Sequence, residues 1–528
     1  MMQIACVHGC RQRERSEGWK VSSPRAKGAK TAERGLKRSR PEVRPREAPV
    51  IEPRAGRKNA SKQGGTARHM ARPFIGTGHF SYFAGNEERG ARTLGNSEHV
   101  NEKGHFLFGG WDTVELAGRF GTPLYVISEE MIRARCRSVR ETFLNRWENV
   151  FAVYAGKAFL PLAMCRIVQS EGLGLDLVSG GELYTALAAG FPPEKTFFHG
   201  NSKTREELRF ALSSGVGRIV VDSMSELETL EEEAAAAGKK PAVLFRVAPG
   251  VDAHTHKYIL TGHTGSKFGF PLAGDSLNAA VRRASASEHV CLKGFHFHIG
   301  SQIFENTSHV MAVEIMVRAI AGFKKEIGFV TEELNMGGGY GVEFAPEGTT
   351  PRIDAFTDAM MRTLEEECRS AGVDRPRVII EPGRWIVSEA GITLYTVQAI
   401  KKIDGIVTYA SIDGGMTDNP RPSLYGAKYW AVAAGKMNRE ASAKVTVAGR
   451  CCESGDILIE NLKTPPLERG DLLAVLNTGA YTFSMASNYN RLPRPAVVLA
   501  SEGRADVIVP RQSYEDLIRG ESLPEHLR

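Results

Sequence analysis

From residue 150 the chain repeats one rhythm. A short apolar run is followed by a polar or glycine-bearing turn, then by a stretch with helical spacing. The runs that read as strands are FAVYA (151–155), GLGLDLV (172–178), KTFFH (195–199), RIVVD (218–222), AVLFRV (242–247), LKGFHFH (292–298), ELNMG (333–337) and RVIIE (377–381). Segments such as GELYTALAAG, REELRFALSSG and SELETLEEEAAAAG lie between them and are rich in helix formers. Short, continuous apolar runs alternating with helices mark buried parallel strands. Eight such units in about 230 residues predict an α/β fold, a closed (β/α)8 TIM-like barrel. An open doubly wound sheet fits less well, because no GxGxxG follows the first strand.

On either side the texture differs. HFLFGGWDTVELAGRFGTPLYVIS (105–128) predicts a short strand, a helix over 112–119 with Asp112 as N-cap, a Gly-Thr-Pro turn and a strand over 124–127. A helix over about 129–145 should follow. After about 385, ITLYTVQAIKKI, IVTYASIDGG, KVTVAGR, DILIENLK, DLLAVLNTGAYT and PAVVLA are β-rich with turns between them. They predict a C-terminal all-β domain, joined by the strand at 124–127. Residues 1–100 show no apolar periodicity, and their composition cannot bury enough surface to order itself. The expected organisation is a disordered basic N-terminal extension (1–100), a segment joining the β domain (101–130), the barrel (131–385) and the β domain (386–528).

Charge sharpens this picture. The formal net charge of +7 is unevenly placed: residues 11–72 hold 19 Lys/Arg and 6 Asp/Glu, which leaves residues 73–528 at −6. The folded part is mildly acidic, and no nucleic-acid partner is expected for it. No apolar run approaches the length of a membrane span, and the N-terminus lacks the apolar core of a secretory signal. The eight cysteines form no CxxC pair, so neither a zinc site nor a disulfide framework is indicated, and a reducing cytoplasm is expected.

In a barrel of this kind chemistry collects at the C-terminal ends of the strands. Here those ends carry Lys157, Ser179, His199 with Asn201, Asp222, Arg246, His298 with Ser301, Gly337-Gly338-Gly339, and Glu381 with Arg384. Lys157 closes the first strand in NVFAVYAGKA. On its own it reads as a solvated loop lysine; among these neighbours it reads as a desolvated amine of lowered pKa, able to form a Schiff base. GGGYG is either a tight turn or a backbone cradle for a phosphate, with Ser301 and Arg384 adding bonds. Lysine and phosphate cradle in one barrel mouth suggest pyridoxal 5'-phosphate. Glu381 is then either the carboxylate at the pyridine nitrogen or a structural ion-pair member. His296 and His298 alternate on one strand; no third ligand at a motif spacing supports a metal, and no metal is expected. His254 and His256 are assigned no chemistry. In CCESGD, Cys452 is either an inert cysteine or a proton donor beside Glu453. In NPRPSLYGA, an irregular stretch, Arg421 with Tyr425 could clamp a carboxylate.

Taken together, YAGKA, FHFHIGSQ, MGGGYG, EPGR, DNPRPSLYGA, CCESGD and GAYT resemble the fold-type III pyridoxal phosphate decarboxylases, and within them the diaminopimelate branch, over about residues 105–520. TGHTGSKFG fits that branch too. The resemblance implies that Lys157 forms the Schiff base, His298 stacks on the cofactor ring and Glu381 pairs with its nitrogen. It puts Ser301, Gly337, Gly338, Gly339, Pro382, Gly383, Arg384 and Tyr481 around the phosphate or the substrate. It gives Arg384, Arg421 and Tyr425 to the distal carboxylate and its surroundings, Glu453 to the distal ammonium, and proton donation to Cys452. It also implies a homodimer in which the Cys452–Glu453 loop serves the other subunit's site, and the conversion of meso-2,6-diaminopimelate to L-lysine and carbon dioxide, the last step of lysine biosynthesis. Three other readings compete. A related decarboxylase acting on ornithine, arginine or carboxynorspermidine is opposed by Arg421, since those substrates end in a cation. An alanine-racemase-like isomerase is opposed by Glu381. A non-enzymatic regulatory relative is opposed by the intact Lys157, Glu381 and Cys452; a nucleic-acid binder using the basic tail would show salt-sensitive DNA binding lost on deleting residues 1–100.

Overall fold

The structure, a computed structural model, describes residues 99–251, 265–345 and 348–528. The basic extension up to residue 98, His254, His256 and the first residues of TGHTGSKFG lie outside the described residues.

Eight parallel strands close a barrel: β1 (Val150–Ala155), β2 (Gly174–Leu177), β3 (Thr196–Phe198), β4 (Arg218–Val221), β5 (Ala242–Ala248), β6 (Cys291–Phe297), β7 (Glu333–Asn335) and β8 (Arg377–Ile380). Each pairs with the next, and β8 returns to β1 with Ile379 opposite Phe151. The expected strands occur in order: five are shorter than expected, Val150–Ala155 and Ala242–Ala248 are one residue longer, and Cys291–Phe297 is shifted by one. A short extra strand, Phe270–Pro271, extends β5 and was not legible in the sequence. Helices follow the strands: α1 (Leu162–Ser170), α2 (Gly180–Ala188), α3 (Arg205–Ser214), α4 (Met224–Ala237), α5 (Ser276–Ala286), α6 (Thr307–Ile327), α7 (Ile353–Ala371) and the single turn α8 (Arg384–Val387).

Side-chain caps mark the starts of three of these helices. Ser179 caps α2 by accepting the Glu182 N–H, Thr204 forms a capping box with Glu207, and Ser223 caps α4. Ser179, read in the sequence as one of the polar strand-end residues, therefore serves the helix that leaves the barrel.

Inside the barrel, Val153, Phe197, Val220, Leu244 and Ile379 come from five strands and form an apolar cluster of their own. Successive strand residues alternate faces, so positions two further on share that face one layer nearer the C-terminal mouth. Those positions are Ala155, His199, Asp222, Arg246 and Glu381. The period that builds the apolar floor thus also aims a polar layer at the mouth.

After the barrel come β9 (Gly391–Ile403), β10 (Val407–Ile412), β11 (Ala431–Ala433), β12 (Ala443–Ala448), β13 (Ile457–Thr464), β14 (Leu472–Val475), β15 (Ala496–Ser501) and β16 (Arg504–Val509). The strand Leu124–Ser128 is inserted among them, antiparallel to β9 and parallel to β15. Asp112 caps the helix Thr113–Phe120 by accepting two backbone N–H groups, as the sequence indicates. The next helix, Glu129–Val139, ends in a π-helical turn, Arg140–Leu144. Among the described residues no helix is long and apolar enough to cross a membrane.

Candidate active site

Lys157 follows β1 in a single 3₁₀ turn, Gly156–Ala158, and its side chain opens into a cleft at the barrel mouth. Its Nζ donates to Asp176 Oδ2 at 3.2 Å. Asp176 lies on β2 with no exposure at all. Burial alone would lower the lysine pKa, but Asp176, Tyr481 and Glu381 outweigh it and hold the amine above its ordinary value. This corrects the sequence expectation of a neutral amine. Desolvation is present, but a fully buried counter-charge dominates it.

Glu381 immediately follows β8 and is buried. Its Oε1 accepts from Asn335 Nδ2 at 2.7 Å and lies 2.9 Å from His199 Nε2; its Oε2 is 3.2 Å from His296 Nε2. Burial favours the protonated acid, yet His199 and His296 outweigh it and hold the carboxyl well below its usual range. His296, pushed down to about 4 chiefly by burial, is neutral and can donate from Nε2. His199, His296 and Glu381 bring three ligand atoms within 4.8 Å of one another, a grouping that takes in His296 but not His298 of the pair considered in the sequence. The same three groups are accounted for as two imidazoles flanking one ionised carboxylate.

The glycine run sits where β7 turns out of the barrel. The Gly337 N–H bonds Asn335 Oδ1 at 2.9 Å, and the Gly338 N–H bonds His298 Nδ1 at 3.2 Å. Burial first, then Lys157 and Arg246, keep His298 well below its ordinary pKa. An Nδ1 that accepts puts the imidazole proton on Nε2. A Cβ at Gly338 would overlap the Glu381 carbonyl, and one at Gly339 the Gly300 carbonyl. Pro382 joins the end of β8 to β1 by accepting the Ala155 N–H at 3.2 Å, and Gly383 packs against Ala155. Arg384 donates to Ser301 Oγ at 3.1 Å and lies 4.6 Å over the Tyr481 ring. Its pKa is lowered to about 10 by burial and by Arg421.

Arg421 is buried, with its guanidinium 5.1 Å from the Tyr425 ring and 5.6 Å from that of Tyr481. The stretch expected to be irregular is a one-turn helix, Arg421–Tyr425, entered through Pro420. Arg384 Nη1 and Arg421 Nε are buried with no hydrogen-bond partner among the described residues. Cys452 and Glu453 are exposed on their loop and do not line the cleft of their own barrel. Asp176 and Asn335 are the site residues that sequence reasoning passed over. Asp176 is the polar exception inside a strand otherwise read as apolar, which is the available signal; Asn335 shares its strand with Glu333 and carries none.

This chain's residues fit pyridoxal phosphate. An amine opens into the cleft, an ionised carboxylate lies at its floor, and Arg384 Nη1 is buried there without a partner beside the Ser301 hydroxyl and the glycine backbone. Barrel and site together define a pyridoxal-dependent decarboxylase, and the family model described as "Pyridoxal-dependent decarboxylase, pyridoxal binding domain" matches residues 129–388. The diaminopimelate decarboxylase of Bacillus subtilis (strain 168) is 45% identical over 426 residues, covering 81% of this chain and 97% of that protein. That of Halalkalibacterium halodurans is 45% identical over 421 residues, 80% of this chain and 96% of that protein. The crystal structure of M. jannaschii diaminopimelate decarboxylase in co-complex with L-lysine superimposes with a TM-score of 0.76 at 36% identity, covering 82% of this chain and 100% of that one. The chain belongs to the diaminopimelate decarboxylase family.

Proposed function

We propose that this chain decarboxylates meso-2,6-diaminopimelate to L-lysine with pyridoxal 5'-phosphate, closing lysine biosynthesis, and that the residues named above divide the work. The observation that carries the substrate choice is the pair of buried guanidinium groups, Arg384 and Arg421, flanking one tyrosine ring at the mouth of the lysine's barrel. Each keeps an unpartnered buried N–H group, which suits a substrate with a second carboxylate. Ornithine, arginine and carboxynorspermidine end in a cation and would leave Arg421 unmatched.

When bound, the cofactor supplies the electron sink that accepts the bonding pair left on carbon as carbon dioxide departs. Lys157 is the amine that holds the cofactor covalently, and Asp176 takes the ammonium whenever the lysine is displaced. Glu381, ionised between His199 and His296, keeps a proton on the ring nitrogen. His298, a neutral imidazole, would hold the cofactor ring. Gly337, Gly338, Gly339, Ser301, Pro382, Gly383 and Arg384 would hold its phosphate. Arg384, Arg421, Tyr425 and Tyr481 fix the far end of the substrate, which orients the scissile bond before reaction. Glu453 reads the distal ammonium, and Cys452 returns a proton to the carbon that lost its carboxylate.

Cys452 and Glu453 would act in the barrel of a second copy, so the working unit is a homodimer with shared sites. Their exposure and their absence from their own cleft support this arrangement. The domain division at about 130 and 385 follows the point where Leu124–Ser128 leaves the β sheet and the end of β8. The reading puts the enzyme in the cytoplasm, where an exposed thiol stays reduced, and assigns no nucleic-acid role.

Mixing two inactive chains tests the shared site. Lys157→Ala and Cys452→Ala should each lower turnover at least ~10²-fold. After reassociation in equal amounts, random pairing restores one intact site in half the dimers, about a quarter of wild-type activity. No recovery from two folded variants would place Cys452 in its own barrel or outside the reaction.

A further inference from the structure

We infer that Asp456 is a positioning residue that locks the loop carrying Arg421 to the loop carrying Cys452 and Glu453. This rests on the reading above, which gives those side chains to substrate and proton transfer, and extends it to a residue that touches neither.

Asp456 is 3% exposed, although the four residues before it, 452–455, are exposed. Its carboxylate is spent on two backbone donors from different loops. Oδ1 accepts the Met416 N–H at 2.7 Å, and Oδ2 accepts the Cys451 N–H at 2.8 Å. Met416 belongs to the segment that leaves β10 and leads through Asp418 to Arg421; Cys451 immediately precedes Cys452. Two further bonds tie the same two loops: Arg450 N–H donates to the Gly414 carbonyl at 2.9 Å, and Ser423 Oγ to the Gly455 carbonyl at 2.8 Å. Within the Cys452 loop itself, Gly449 N–H donates to the Asp456 carbonyl at 2.9 Å. Gly415 and Gly449 pack directly on the carboxylate, where a Cβ at either would overlap it.

Charge-assisted bonds from a buried carboxylate to backbone N–H groups are among the strong ones in a protein. Two of them on one side chain fix the relative position of the loops. In a dimer with shared sites the consequence is specific. One loop serves the chain's own barrel through Arg421, and the other serves the partner's barrel through Cys452. Asp456 therefore joins the substrate clamp of one site to the proton donor of the other.

The test is Asp456→Asn in the full chain with bound cofactor. The amide keeps one acceptor but turns an NH2 group against the second backbone N–H, so one of the two ties is lost. Expected is a fall in kcat of about tenfold together with a rise in KM for diaminopimelate of about fivefold. The dissociation constant for L-lysine, read from the cofactor absorbance, should rise with KM, while that for 1,5-diaminopentane, which keeps the distal ammonium but lacks the carboxylate, should rise by a smaller factor. Cofactor affinity should be unchanged. Gly449→Ala displaces the same carboxylate from outside and should repeat the pattern if Asp456→Asn does not fold. Wild-type kcat and KM in a folded variant would overturn the inference, as would losses that follow cofactor release and thermal midpoint alone. Wild-type enzyme inactive on diaminopimelate would instead overturn the substrate reading.

Discussion

Lys157 carries its charge because Asp176, which has no exposure of its own, faces it at 3.2 Å. Glu381 stays ionised because Asn335, His199 and His296 crowd its two oxygens. Neither state follows from the residue itself; both follow from what the barrel puts opposite it. The sequence makes Lys157 and Glu381 visible as polar groups at strand ends, but their protonation states depend on contacts between strands far apart in the chain. Asp176 shows the limit well. It is one acid in GLGLDLV, and only the side-chain alternation within a known barrel turns it inward. Arg421 carries the prediction at this scale. Arg421→Met keeps much of the apolar bulk and removes the charge-assisted bonds. Steady-state kinetics on diaminopimelate should show kcat/KM lower by about 10–100-fold, mostly through KM, with cofactor affinity retained. Unchanged constants would remove Arg421 from the substrate clamp.

At the level of elements, the eight strands were legible because each is a short apolar run closed by a turn, and alternation predicts which residues reach the mouth. Two misreadings have local causes. Ser179 was grouped with the site but caps α2, since a serine between strand and helix serves either purpose and sequence does not separate them. RPSLY was read as irregular, because a five-residue helix is too short to display a period. The glycine turn after β7 shows the opposite case, where residue type and structure agree. Three chain segments approach so closely there that a methyl group at Gly338 would overlap the Glu381 carbonyl. Gly338→Ala must therefore shift the turn or the strand end that holds Glu381. Cofactor titration followed by absorbance should show affinity weakened at least about tenfold, with the thermal midpoint moved by no more than a few degrees. Wild-type affinity would mean that the turn does not shape the phosphate site.

At the scale of the molecule, the strand Leu124–Ser128 precedes the barrel in sequence and lies in the sheet that follows it. The barrel is thereby tied to the β sheet at both of its chain ends. The rim of its mouth is completed from that second layer by Tyr481 in the cleft, against which Arg421 packs. Sequence patterning reached this arrangement because 124–127 reads as an isolated strand with no barrel position to fill. It did not reach the register between sheets or the closing of one loop on another by Asp456, which depend on distant pairings. The central claim is that this mouth selects an amino acid with a second carboxylate and removes its first. The most direct measurement is carbon dioxide release from meso-diaminopimelate by the purified full chain with added pyridoxal phosphate, with ornithine, arginine and L-lysine run in parallel. The account expects release from diaminopimelate alone; release from ornithine or arginine with none from diaminopimelate would contradict it.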